Sequence, residues 1–109
     1  MNNKVLKLVE PLEDEAKLPL IKMAELIIDF LNLKTGKKFR AKNPRGEETA
    51  MSAFVVARLK EGYTVSDCRA VVAAKFRQWG ADEKMAKYLT PETLFRRSNF
   101  ERYLGELDD

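Results

Sequence analysis

Residues 34–45 read KTGKKFRAKNPR, placing Lys34, Lys37, Lys38, Arg40, Lys42 and Arg45 in one stretch with no acidic residue among them. Cations at this density suit phosphate, because each neutralised phosphate releases condensed counterions and adds a salt-sensitive, sequence-independent increment of affinity. Phe39 lies among them, and an aromatic face between cations is what stacks an unpaired base, worth about 1–3 kcal/mol per base. The competing reading is a solvated connection between two helices. Charge distribution sharpens the choice: the stretch supplies +6 of a formal total of +3, so the rest of the chain sums to −3.

Three other groups could take part. Trp79 and Tyr88 flank Lys84 and Lys87, but Trp79 belongs to an apolar helical arc and is expected in the core, which leaves Phe39 as the better stacking platform. Lys75 falls inside that same arc with Val65, Cys68, Val71, Val72 and Phe76. Either its stem runs along the apolar surface and releases the ammonium at the edge, or it emerges beside Trp79 at a groove or meets a buried carboxylate. Arg96, Arg97 and Arg102 form a second positive cluster. Arg102 is expected to pair along its helix at i,i+4; Arg96 and Arg97 have fewer local partners and join the candidate nucleic-acid-binding residues.

Catalysis finds little support. With no histidine, one cysteine on an apolar face, no glycine-rich phosphate loop and no serine elbow, the common nucleophile–base pairs cannot be assembled. The acidic clusters Glu13-Asp14-Glu15 and Asp108-Asp109 fall in expected tails, so no metal site and no cofactor are anticipated. A lone Cys68 rules out an internal disulfide and fits a reducing compartment. No apolar run is long enough for a secretory signal or a membrane span, so a cytoplasmic protein is expected.

The elements that must position these residues are helical. Residues 1–20, with Pro11 and Pro19, read as a tail or linker, and residues 21–109 as one helical domain. Met23, Leu26, Ile27, Phe30, Leu31 and Leu33 mark the apolar face of a first helix that Thr35-Gly36 ends. Asn43-Pro44-Arg45-Gly46 is a turn signal within the basic stretch. Residues 47–61 are apolar nearly all round, as in a central helix. Thr64 and Asp67 form a capping pair for a helix reaching Trp79. DEKMAKYL suits one or two helical turns, TPETLF has Thr90 as cap with Pro91 at the first helical position, and SNFERYL carries Ser98 and Glu101 at capping-box spacing. The class is all-α: about three main helices, then short C-terminal ones, in a small compact bundle.

Read together, LIIDFLNLKTGKKFR, ARLKEGYTVSDCRAVVAAKFRQW, MAKYLTPETLF and NFERYL resemble the conserved C-terminal domain of phage replication proteins of the replisome-organiser type, over roughly residues 23–104. The resemblance implies a module of DNA-replication initiation in a phage or prophage, acting in the bacterial host cytoplasm behind an N-terminal winged-helix domain that reads the origin. That N-terminal domain is not in this sequence, and Arg96-Arg97-Ser98-Asn99 stands where the family tends to have a shorter, glycine-containing link. The family offers no catalytic residues.

These readings converge on a binding module that is not an enzyme. It is expected to hold DNA weakly and without sequence preference, and to help recruit the host replicative helicase or its loader. The alternative is a protein–protein adaptor, or an oligomerisation module contacting its own copies, for which the acidic end GELDD and the polar stripe of the first helix speak. RNA binding shares the electrostatics. No membrane partner is expected.

Overall fold

The computed structural model describes residues 18–107 and is all-helical. The expected tail, apart from its last three residues, and the clusters Glu13-Asp14-Glu15 and Asp108-Asp109 lie outside the described residues. Five α-helices follow in order: α1 (Leu20–Thr35), α2 (Ala50–Lys60), α3 (Val65–Trp79), α4 (Pro91–Phe95) and α5 (Arg97–Glu106), with a single 3-10 turn (Ala86–Tyr88) before α4. No strand forms among the described residues; an isolated antiparallel bridge joins Lys42 and Glu48.

α1 buries Ala24, Ile27, Ile28 and Leu31 against both α2 and α3. Spacing of three and four keeps these on one face, because successive residues turn by about 100°. The same geometry corrects the expectation for Leu33. Two positions beyond Leu31, it points away from the core and is 80% exposed. Gly36 then ends the helix at φ 76°, a left-handed conformation that glycine adopts without a Cβ penalty.

α2 starts three residues later than its apolar pattern suggests. Thr49 accepts from the Ser52 amide (3.1 Å) and caps the helix, while residues 43–47 are held in a turn by their own hydrogen bonds. It packs on α1 and α4, burying Val55, Val56 and Leu59 together with Ser52 and Arg58, while Ala50 and Ala53 stay exposed, so the helix is not the central one its composition suggests. Arg58 reaches α4: its Nη1 donates to the Phe95 carbonyl (3.4 Å) and its Nη2 pairs with Glu61 (3.2 Å). Breaking such a buried charged contact costs more than breaking a neutral one, about 1.5–3 kcal/mol.

α3 opens with the expected capping box. The Thr64 hydroxyl accepts from the Asp67 amide, and the Asp67 carboxylate accepts from the Thr64 amide, both at 3.0 Å. Val65, Cys68, Val71 and Val72 are buried along the arc, with Phe76 and Trp79 packed at its edge. The C-terminal elements close the core. Phe100 is fully buried, stacked on Phe95 (5.5 Å) and edge-on to Tyr63 (4.9 Å).

Two local expectations change here. DEKMAKYL makes only the single 3-10 turn, braced by Asp82. Ser98 caps nothing: α5 begins at Arg97, one residue after α4, and Glu101 turns to Arg97 instead. The stacked pair Phe95 and Phe100 leaves just Arg96 as the connection, so the chain re-enters a helix before Ser98 could serve as a cap.

Candidate nucleic-acid interface

The basic stretch is built rather than draped. Asn32 in α1 grips Phe39 twice: its Nδ2 donates to the Phe39 carbonyl (2.8 Å) and its Oδ1 accepts from the Phe39 amide (3.0 Å). Thr35 Oγ1 accepts from the Lys37 amide (3.2 Å) while donating to the Leu31 carbonyl (2.8 Å). Lys37 extends across the molecule, its Nζ donating to the carbonyls of Ala86 (2.9 Å) and Leu89 (3.1 Å). Burial holds its ammonium below the usual lysine range. These bonds give residues 34–39 a defined path, which a solvated connection would not need.

Beyond Phe39 the cations are used locally. Lys42 pairs with Glu25 of α1 (3.4 Å), and Arg45 approaches Glu47 (3.9 Å). The Thr49 hydroxyl donates to the Arg40 carbonyl (2.6 Å), fixing the backbone while the Arg40 side chain stays outside. Of the six cations, Lys34, Lys38 and Arg40 are therefore exposed and have no carboxylate within 4.0 Å among the described residues. Lys34 lies 5.4 Å from the Phe30 ring, which the Arg69 guanidinium also approaches at 5.9 Å. Phe39 itself is half-buried against the core.

The second positive cluster has a different surrounding. Arg96 pairs with Glu92 (2.7 Å) and Arg97 with Glu101 (3.4 Å), each four residues away along the chain, and Arg97 also lies near Glu61 (3.5 Å), which corrects the expectation that these two arginines have few local partners. They rim a shallow depression of about 470 Å³ whose floor is Ala50, Ala53, Phe54 and Ala57 of α2. Arg102 does not pair with Glu106; it lies 5.3 Å from the Tyr103 ring.

Glu106 is taken by Lys75. That ammonium is 4% exposed as a residue, 3.1 Å from the Glu106 carboxylate and 3.0 Å from the Gln78 side-chain oxygen. It also lies over the rings of Tyr103 (4.2 Å) and Trp79 (5.1 Å). Lys75 therefore pairs with a carboxylate, but a partly exposed one, and its location beside Trp79 fastens α5 to α3. Cation–π contacts of this kind reach about 2 kcal/mol when desolvated. Trp79 is half-buried, edge-on to Tyr103 at 5.9 Å.

The family model for the conserved phage C-terminus matches residues 27–105. The chain belongs to that family. No curated protein and no solved structure matches it.

Within this conserved phage C-terminal domain, the matched residues include the whole of the basic stretch and the turn that Lys37 reaches. That junction was hidden in the sequence, because 49 positions separate Lys37 from Ala86. The domain's thiol is poorly placed for attack: Cys68 is buried, and burial, reinforced by the Asp67 charge and opposed by Arg58, pushes it up to about 12. Among the described residues, no three His, Cys, Asp or Glu side chains converge on a metal-sized site. No described helix is long and apolar enough to cross a membrane.

Proposed function

We propose that this conserved phage C-terminal domain is a non-catalytic module of phage or prophage DNA-replication initiation. It holds DNA through phosphate contacts and helps bring the host replicative helicase, or its loader, to the origin. The observation that supports the DNA contact is the exposure of Lys34, Lys38 and Arg40 without carboxylate partners among the described residues, on a backbone fixed by Asn32, Thr35 and Thr49. Support for the replication setting is the resemblance of its motifs to replisome-organiser proteins.

Three phosphate contacts give a modest, non-specific affinity. With a log–log salt slope of about −0.7 per contact on single strands, raising salt from about 50 to 200 mM should weaken binding roughly twentyfold. The test is fluorescence anisotropy on labelled single- and double-stranded DNA at both salt concentrations, with Lys34→Glu/Lys38→Glu/Arg40→Glu as control. Binding that falls with salt and disappears in the control is expected. No binding by the wild-type domain at low salt, or a variant that binds as well, would overturn the reading.

A second reading is favoured by one feature, the apolar depression over Ala50, Ala53, Phe54 and Ala57 with arginines at its rim. A protein surface carrying an apolar side chain and mixed charge would fit there, making the domain an adaptor without DNA contact.

A further inference from the structure

The surface that Lys37 assembles has an aromatic residue that Phe39 cannot replace. The two hydrogen bonds from Lys37 Nζ hold the 3-10 turn Ala86–Tyr88 beside the start of the basic stretch. That turn carries Tyr88, which is 43% exposed, with the Lys87 ammonium 5.3 Å from its ring centre and Lys84 exposed in the preceding residues. Lys37 thus ties the basic stretch, with its exposed Lys34 and Lys38, to the turn that follows the exposed Lys84 and carries the exposed Lys87, beside Asp82 and Glu83 in the sequence. Asp82 is exposed, its Oδ1 accepting from the Lys84 and Met85 amides at 2.8 and 3.2 Å.

We propose that this corner is a single-stranded DNA site, with Tyr88 as the ring on which an unpaired base stacks and the lysines on both sides as phosphate contacts. The inference rests on the DNA-binding reading above and adds to it the strand preference and the stacking residue. Isolated exposed aromatics are ordinary on protein surfaces. Tyr88 differs in the Lys87 ammonium beside its ring, in the Lys37 strap that ties its turn to the basic stretch, and in the rigidity of its support. Its amide donates to the Met85 carbonyl (2.9 Å), its carbonyl accepts from the Thr90 amide (2.9 Å), and the next amide, of Leu89, donates to Ala86 (3.1 Å). A platform already fixed loses little entropy when a base settles on it.

The other aromatics near cations offer less. Phe39 and Trp79 are half-buried against the core, and Trp79 already meets Lys75 and Tyr103. A duplex keeps its bases stacked inside and would meet only the lysines. A single strand can use both the lysines and the ring, which is the source of the preference.

The experiment is anisotropy on labelled oligothymidylate and on a labelled mixed-sequence duplex, comparing wild type, Tyr88→Ala and Tyr88→Phe. Tyr88→Ala should weaken single-strand binding about tenfold, in the range a stacked base supplies, and change duplex binding less than about twofold; Tyr88→Phe should behave as wild type. Ultraviolet cross-linking of a bromodeoxyuridine oligonucleotide to the wild-type domain, mapped by peptide mass, should place the adduct on Tyr88, whether or not the alanine variant folds. Equal loss on both substrates, unchanged single-strand binding in a folded Tyr88→Ala variant, or an adduct elsewhere would overturn this inference while leaving the phosphate grip standing. Absence of any DNA binding by the wild type would overturn both.

Discussion

Two positive clusters occupy this domain, and their surroundings divide them. At the junction of α4 and α5, Arg96 has Glu92 within reach and Arg97 has Glu61 and Glu101, and Arg58 shares Glu61 with Arg97. At the end of α1, Lys34, Lys38 and Arg40 have no such partner among the described residues, and Lys37 is occupied with backbone carbonyls instead. Similar residue types thus take on different work. A cation beside a carboxylate adds little to the field a phosphate meets, whereas one exposed beside other cations adds its full charge.

The strongest way to break this contrast is to remove the carboxylates. Glu61→Gln/Glu92→Gln/Glu101→Gln leaves the exposed Arg96 and Arg97 uncompensated, while Arg58 stays buried on the Phe95 carbonyl; at low salt DNA affinity should rise at least about tenfold as the two arginines become free to meet phosphate. Anisotropy measures the gain; an unchanged affinity would mean that pairing is not what keeps this cluster from DNA.

Cutting the strap at the other cluster should have the next largest effect. Lys37→Met retains the stem but loses both bonds to the 3-10 turn. Single-strand affinity is expected to fall several-fold, more than one lost charge explains on its own. Amide exchange at residues 86–89 should accelerate as the turn loosens; exchange at the wild-type rate would show that the strap is not what holds the turn.

The smallest effect should come from neutralising the paired arginines. Arg96→Gln/Arg97→Gln is expected to leave DNA affinity within about twofold and to lower stability by about 0.5–1 kcal/mol, the usual range for exposed ion pairs. Urea denaturation reads the second quantity. A large loss of DNA binding would place both clusters on the nucleic acid and end the distinction.

Much of the fold was legible because local signals and burial agree. Thr64 with Asp67, Thr90 with Pro91, and Gly36 each fix a helix end through bonds or torsions only a few residues long. The failures also have local causes. Leu33 is apolar like Leu31, but its angle on the helix sends it to solvent. Ser98 and Glu101 had the right spacing, but the packing of Phe95 on Phe100 started the helix earlier.

The site was less legible. The sequence located the basic stretch and its excess charge, yet could not say which cations remain outside. That depends on Glu25, which takes Lys42, and on carbonyls 49 and 52 residues from Lys37. Nor could it separate Phe39 from Tyr88 as a platform, since two aromatics beside lysines look alike until one of them is packed against the core.

By itself, then, the sequence determined the all-helical class, most helix ends and the position of the concentrated charge, because hydrophobic periodicity, capping and formal charge are properties of short stretches of chain. The tertiary structure decided that Lys42 meets Glu25, how Lys75 comes to lie between two rings and Glu106, and that Lys37 reaches the turn carrying the exposed Tyr88. Those outcomes depend on distances between residues far apart along the chain, and such distances exist only once α1, α3 and the C-terminal elements have packed together.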